Sequence, residues 1–392
     1  MKLISGSFTS AALLAACLIT NSSARADDGG DDQSNHYIVT NLVSDIKGLG
    51  QAPNTDPVLQ NAWGVAFTPA ASPFWVSDNA TGCSTLYDGD GTVLSLQVGI
   101  PLPGGVVPNT ACKHVNPPPA APPNPTPAAP TGMVWNPTTN PMTAFLVPGT
   151  TMPASFIWAT EDGTISAWTG NLSPNPNNAR LAVDNADTTN GPVFKGLVFG
   201  VNANGVFLFA TNFRAGTVDV FDHTYTKVST DGGFADPDIP AGFAPFGIQN
   251  IDGVLFVTYA KQNAQKHDDV GGPGNGFVDV FDTDGHLLRR FASRGTLNSP
   301  WGVARASYAF GRFSGDVLIG NFGNGQVNAF ASNGDFLGAL RDGKGKPLAI
   351  DGLWTLTLGG GAKSSSDTLY FTAGPNGEMD GLFGTITPAA NK

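Results

Sequence analysis

The chain of 392 residues is 41% hydrophobic but only 13% charged, about half the charged share of an ordinary soluble domain. Its 50 Gly and 30 Pro disfavour helix interiors and exclude an all-helical protein. A net charge of −11 without a basic cluster argues against nucleic acid, whose binding rests on neutralising phosphates with Lys and Arg, and leaves a β-rich chain with 25 Phe and 7 Trp for its core.

Residues 1–26 carry Lys2, an apolar run from Ala11 to Ile19 and the small-residue pattern Ala24-Arg25-Ala26 before Asp27. This predicts a secretory signal cut after Ala26, and hence a periplasmic or secreted protein. The alternative is a lipoprotein box, Leu14-Ala15-Ala16-Cys17, with Cys17 lipidated. The apolar run is too short for a transmembrane span, which needs about 20 residues. Cleavage removes Lys2 and Arg25 and takes the net charge to −13. Cys83 and Cys112 remain, an even pair in an exported chain, and predict a disulfide.

Residues 36–45 begin with strand composition (HYIVTNLVS from His36 to Ser44) and no hairpin partner nearby. An opener then recurs as Ala62-Trp63-Gly64-Val65, Thr131-Gly132-Met133-Val134, Lys195-Gly196-Leu197-Val198, Phe246-Gly247-Ile248, Trp301-Gly302-Val303-Ala304 and, more loosely, Asp351-Gly352-Leu353. Each is followed by a short apolar run ending in a small polar residue, a Gly-rich turn, an alternating strand and a hairpin such as Asp282-Thr283-Asp284-Gly285, where Asp-Gly supplies positive φ. The expectation is all-β: a six-bladed β-propeller of four-stranded antiparallel blades, one domain over 27–392. The last unit stops after Gly381 to Thr387, so residues 36–45 are expected to supply its outer strand and close the ring. Residues 101–130 hold 11 Pro and read as an extended insertion, tethered by Cys83 to Cys112.

These openers and Asp-Gly hairpins resemble the NHL-repeat propellers and, more distantly, the gluconolactonase-like six-bladed propellers. Over the whole chain the closest resemblance is to an uncharacterised family of exported bacterial propellers, some with a PEP-CTERM sorting tail. That resemblance implies a fold and a compartment but no established reaction. The Glu-Gly-Pro start of the gluconolactonase-like family is absent, and Asn61-Ala62-Trp63-Gly64 stands in its place.

Aligning the units puts Asp78, Glu161, Asn212, Tyr259, Asn321 and Ala373 in one column after the second strand. Asp78, Glu161, Asn212 and Asn321 could converge on Ca²⁺ or Mg²⁺, which take oxygen ligands, or each could cap its own turn. Further candidates for a ligand funnel on this face are Asn61, Asp162, Lys195, Arg214, Tyr259, Lys261, Asn298, Asp351, Asn376 and Glu378. Lys195 sits in an apolar opener, and the loop from Lys261 to Gly276, with Lys266, His267, Asp268 and Asp269, could overhang the funnel or stand as a solvated mobile loop. No Gly-x-Ser-x-Gly elbow, phosphate loop or metal-spaced His pattern occurs, and no catalytic residue is assigned. The leading expectation is a monomeric extracytoplasmic binding or interaction module for a small polar molecule, a glycan or a protein. The alternative is a divalent-metal-dependent hydrolase or lyase.

Overall fold

The structure is a computed structural model that describes residues 35–69, 72–114, 127–138, 145–187 and 189–390. The expected signal segment, Cys17, and residues 115–126 of the insertion lie outside the described residues. The described residues form six sheets, antiparallel throughout except for one short edge pair in the sixth. Their innermost strands are Ala62–Ala66, Pro130–Trp135, Phe194–Asn202, Phe243–Ile251, Pro300–Arg305 and Leu353–Leu358. Each of blades 1 to 5 runs outward in sequence order through four strands, and the chain is a six-bladed β-propeller as expected. Among the described residues no helix is long and apolar enough to cross a membrane.

Blade 6 is completed from the other end of the chain. Its third strand, Leu382–Pro388, pairs antiparallel with Tyr37–Ser44, and a short parallel strand, Asn54–Thr55, lies outside that. Cores between neighbouring blades are aromatic-rich: Trp75 of blade 1 stacks on Phe156 of blade 2 with ring centroids 4.2 Å apart. The Cys83–Cys112 disulfide is present. It pins the start of the insertion beside blade 1, where Cys112 N also donates to Thr81 O at 2.9 Å. A cross-link between residues 29 apart stabilises by about 3–4 kcal/mol on the chain-entropy model.

Two boundaries differ from expectation. Pro130 opens the inner strand of blade 2 rather than ending the insertion, a first-of-strand position where its missing N–H costs no ladder bond. The sixth opener centres on Thr355, not Gly352. In every inner strand two residues face one on the second strand, a β-bulge that re-aims a side chain, and the pairs are Trp63-Gly64, Thr131-Gly132, Lys195-Gly196, Phe246-Gly247, Trp301-Gly302 and Trp354-Thr355. Glycine is needed at the second position because the next blade's inner strand passes against it: a Cβ on Gly302 would sit 2.5 Å from Trp354 O. Thr355 is accommodated by donating its hydroxyl to Trp63 O at 2.7 Å.

The first bulge residues of blades 1, 4, 5 and 6 meet one another. Trp63 stacks on Trp354 at 3.5 Å, Trp301 stands edge-on to both, and Phe246 leans on Trp354 at 5.9 Å. Together with Phe213 and Phe322 they form an apolar plug in the channel. A cavity of about 50 Å³ lies against the inner strands, lined by Gly64, Gly132, Leu197, Gly302 and Thr355 among others.

Candidate functional site at the propeller axis

The residue after each second strand is tied to the residue entering an inner strand. Asn79 N donates to Asn61 O, Glu161 N to Ala129 O, Phe213 N to Val193 O, and Phe322 N to Ser299 O. These turns therefore share one face with the entries to the inner strands, the expected funnel face.

The four proposed metal ligands are not brought together. The true register column is Asp78, Thr160, Asn212, Tyr259, Asn321 and Ala373, each opposite the residue just before the bulge of its inner strand. Glu161 is one residue beyond it. Asn212 donates to Asp219 Oδ2 at 3.1 Å and accepts from Ala215 N. Asn321 donates to Thr296 O and accepts from Asn298 N. Asp78 is fully buried and accepts from Thr85 at 3.2 Å. This donor set does not fit one Ca²⁺ or Mg²⁺, and no chemistry is routed through such an ion.

Burial, reinforced by the nearby charge of Asp56, pushes Asp78 well above the usual carboxylate range. An acid raised on folding favours the folded state below its unfolded pKa, and that contribution is lost as pH rises, because the unfolded chain ionises first. Blades 3 and 5 carry Asn at this position. Asp78→Asn is therefore expected to raise stability by on the order of 1 kcal/mol at pH 7, with the gain vanishing below about pH 4. Thermal melts of both proteins at the two pH values check this, and a loss of stability at pH 7 would show that the ionised carboxylate is needed.

The side chains that do converge are Asn61, Asn79, Glu161, Lys195, His267, Asp268 and Glu378. Lys195, the inward bulge residue of blade 3, is only 3% exposed at its side chain and pairs with Glu161. Its Nζ lies 3.9 Å from Asp268 Oδ1 and 5.1 Å from the Trp63 ring centroid, where the ring face favours a cation. Glu161 Oε2 accepts from Asn79 at 3.0 Å, and Asn79 Oδ1 accepts from Asn61 at 3.2 Å. Asn61 also donates to Glu378 Oε2 at 2.7 Å, while its Oδ1 accepts from Trp354 Nε1 at 3.1 Å. Because an indole N–H only donates, the Asn61 amide can face only one way, with its NH₂ toward Glu378.

Electrostatics divide the acids. Burial, then the neighbouring Glu161 charge, pushes Glu378 up to about 7. Burial also raises Asp162 and Asp269. His267 Nδ1 and Asp268 Oδ1 lie 2.6 Å apart, and this bond raises the histidine and lowers the aspartate. The loop carrying them brings Asp268 Oδ1 to 3.9 Å from Lys195 Nζ, where the sequence left open a solvated loop standing away from the funnel.

The other funnel candidates serve as supports. Asp162 accepts from Ala129 N, Arg214 donates to Gly191 O, and Asn298 Oδ1 accepts from Gly272 N. Asp351 accepts from Asn376 N, and Asn376 bonds Asp380, shaping the loop that carries Glu378. Lys261 is exposed, with its carbonyl accepting from Val270 N. Tyr259 is buried in the cluster that includes Val257 and Phe277 rather than at the axis. Asn79 was missed by sequence reasoning, although it directly follows Asp78 in the aligned column.

No protein-family model matches the chain. It is 31% identical over 358 residues to an uncharacterized protein of Acanthamoeba polyphaga mimivirus, covering 90% of this chain and 79% of that one. A second uncharacterized protein of the same virus is 30% identical over 342 residues, covering 86% and 82%. The chain belongs to the family of these proteins, and they do not support the expected bacterial sorting-tail family. Among solved structures it is similar to a streptogramin B lyase, with a TM-score of 0.49 and 10% identity over 92% of this chain and 100% of that one. A gluconolactonase from Xanthomonas campestris gives a TM-score of 0.47 and 15% identity over 85% and 88%. Neither likeness carries an argument about chemistry.

Proposed function

We propose that this propeller is a binding module that takes a small polar ligand at the axial cluster. Glu378 carries the reading. Asn376, Gly377 and Glu378 all have left-handed backbone, with φ of 57°, 67° and 67°, a costly conformation for the two non-glycine residues. It holds a mostly buried carboxyl whose partner among the described residues is one amide donor, Asn61. Below about pH 7 the protonated carboxyl can donate to a ligand, and above it can only accept. Beside it, Lys195 and Glu161 neutralise each other and His267 remains partly exposed.

A thermal-shift screen with sugars, sugar acids and amino acids tests the reading. Stabilisation by a hit should be lost in Glu378→Gln and in Glu161→Gln. A hit that stabilises both variants as well as the wild type would place binding elsewhere.

The second reading, a divalent-metal hydrolase or lyase, is favoured by the approach of ligand atoms of Glu161, His267 and Asp268 to within 4.8 Å of one another. Stoichiometric metal in protein purified without chelator would support it, and its absence would reject it. We also propose export, with residues 1–26 removed and 27–392 forming one domain, to which the disulfide lends support. The intact mass of exported protein reads the cleavage point, and a lipidated Cys17 start would overturn it.

A further inference from the structure

We infer that the Lys195 ammonium is the resident cation of the axial cluster, and that it keeps closed a divalent-cation site formed by Glu161, His267 and Asp268. The inference rests on the axial cluster being the working site, and its readout, bound metal, is separate from ligand binding.

Of the six first bulge residues, five, Trp63, Thr131, Phe246, Trp301 and Trp354, are uncharged. Only blade 3 places a charge there. A buried ammonium is costly unless paired, and Lys195 is paired on one side by Glu161 and faced on the other by the rings of Trp63 and Phe213, at 5.1 and 5.9 Å. Its backbone is held as well, with the carbonyl accepting from Trp301 Nε1 at 3.2 Å.

The same ammonium lies against two of three groups that could ligate a metal. Glu161, His267 and Asp268 bring one ligand atom each to within 4.8 Å of one another, and Nζ is bonded to Glu161 Oε1 and 3.9 Å from Asp268 Oδ1. Tetrahedral ligands sharing one Zn²⁺ at about 2.0–2.2 Å lie roughly 3.3–3.6 Å apart, so atoms now within 4.8 Å of one another must close by about an ångström to complete the set. His267 and Asp268 are partly exposed and lie in the loop between Lys261 and Gly276, where such a movement is cheapest. Imidazole with carboxylates suits zinc better than the hard, all-oxygen cations. While Lys195 is present, an incoming dication meets a fixed positive charge with no lone pair to offer. Without it, Glu161 is left as a largely buried carboxylate beside two further ligands.

The test compares wild type, Lys195→Met, and Lys195→Met combined with His267→Ala, each dialysed against Zn²⁺ and analysed for metal content and melting temperature. Wild type is expected to bind no zinc at the axis, Lys195→Met to bind one ion per chain with a clear upward shift in melting temperature, and the double variant to lose both. If Lys195→Met is unfolded without metal, folding on adding Zn²⁺ supports the inference. Failure to fold with Zn²⁺, while Lys195→Met/Glu161→Gln folds without it, overturns it. Zinc bound by wild type through His267 would show that the lysine closes nothing. Zinc bound by Lys195→Met but retained after His267→Ala would remove the assigned ligands.

Discussion

A chain beginning at Gly48 is expected to melt at least about 5 °C below the chain that retains residues 35–47, and to associate in solution. The lost strand, Tyr37–Ser44, runs antiparallel to Leu382–Pro388 from Tyr37 opposite Pro388 to Ser44 opposite Leu382. It also joins neighbouring blades. The Tyr37 hydroxyl donates to Phe310 O at 3.0 Å and accepts from Phe313 N at 3.3 Å, and its ring stacks on Phe313 of blade 5. Val43 is fully buried in the cluster with Phe74, Tyr87 and Phe383 that joins blade 6 to blade 1. Removing two such side chains costs about 5 kcal/mol or more, at roughly 1–2 °C per kcal/mol for a domain of about 350 residues. The truncation also leaves Leu382–Pro388 as an unpaired edge, which invites pairing with another chain. Thermal melts and size-exclusion chromatography check both parts. Equal melting temperatures would mean that the terminal strand closes the ring in geometry only.

That closure was legible because a missing strand at one end of a repeat and an unpaired strand at the other have one economical solution. The blade count was legible for a related reason: at Gly64, Gly132, Gly247 and Gly302 a Cβ would sit 2.2–2.5 Å from neighbouring backbone, so the glycine recurs with the bulge. The same cause explains the miss at the sixth blade. Thr355 supplies a hydroxyl that bonds Trp63 O, so the glycine is not required there, and Gly352 nearby drew the alignment by three residues.

The metal column failed for an equally local reason. The residue facing each bulge is a small polar one in four blades, Ser77, Thr211, Thr258 and Thr372, but in blade 2 it is Ala159. Thr160, the next small polar residue, shifts the pattern by one and puts Glu161 in a column to which it does not belong. Periodicity marks the column, but the side on which its members lie depends on a register that one substitution can shift. Lys195 and Glu378 were legible as candidates, whereas their connection through Asn61 and Asn79 spans 317 residues between Asn61 and Glu378 and leaves no local pattern. The signal for the axial plug was present unread, in the residue preceding each opener Gly.

Gly302→Val is expected to abolish folding or to cost at least about 4–5 kcal/mol, the range reserved for substitutions with a named steric cause. The Cβ position on Gly302 is 2.5 Å from Trp354 O and 2.8 Å from Leu356 N. Both are backbone atoms of the adjacent inner strand, so no rotamer change relieves the contact. In an open stack of sheets the neighbour could move away. In a closed ring, displacing blade 6 from blade 5 presses it toward blade 1, where Trp63 already stacks on Trp354 at 3.5 Å. The strain therefore falls on the plug and on the axial cluster above it, including the Trp354 bond that orients Asn61. Gly345→Ala provides the contrast: nothing lies within 4 Å of its added Cβ, and only its φ of +76° is unfavourable, a cost of about 1–2 kcal/mol. Circular dichroism melts and soluble yield distinguish the two. If Gly302→Val folds with a melting temperature near that of wild type, the inner strands have slack that the geometry denies them, and the bulge glycines would recur for some reason other than the close passage of neighbouring blades.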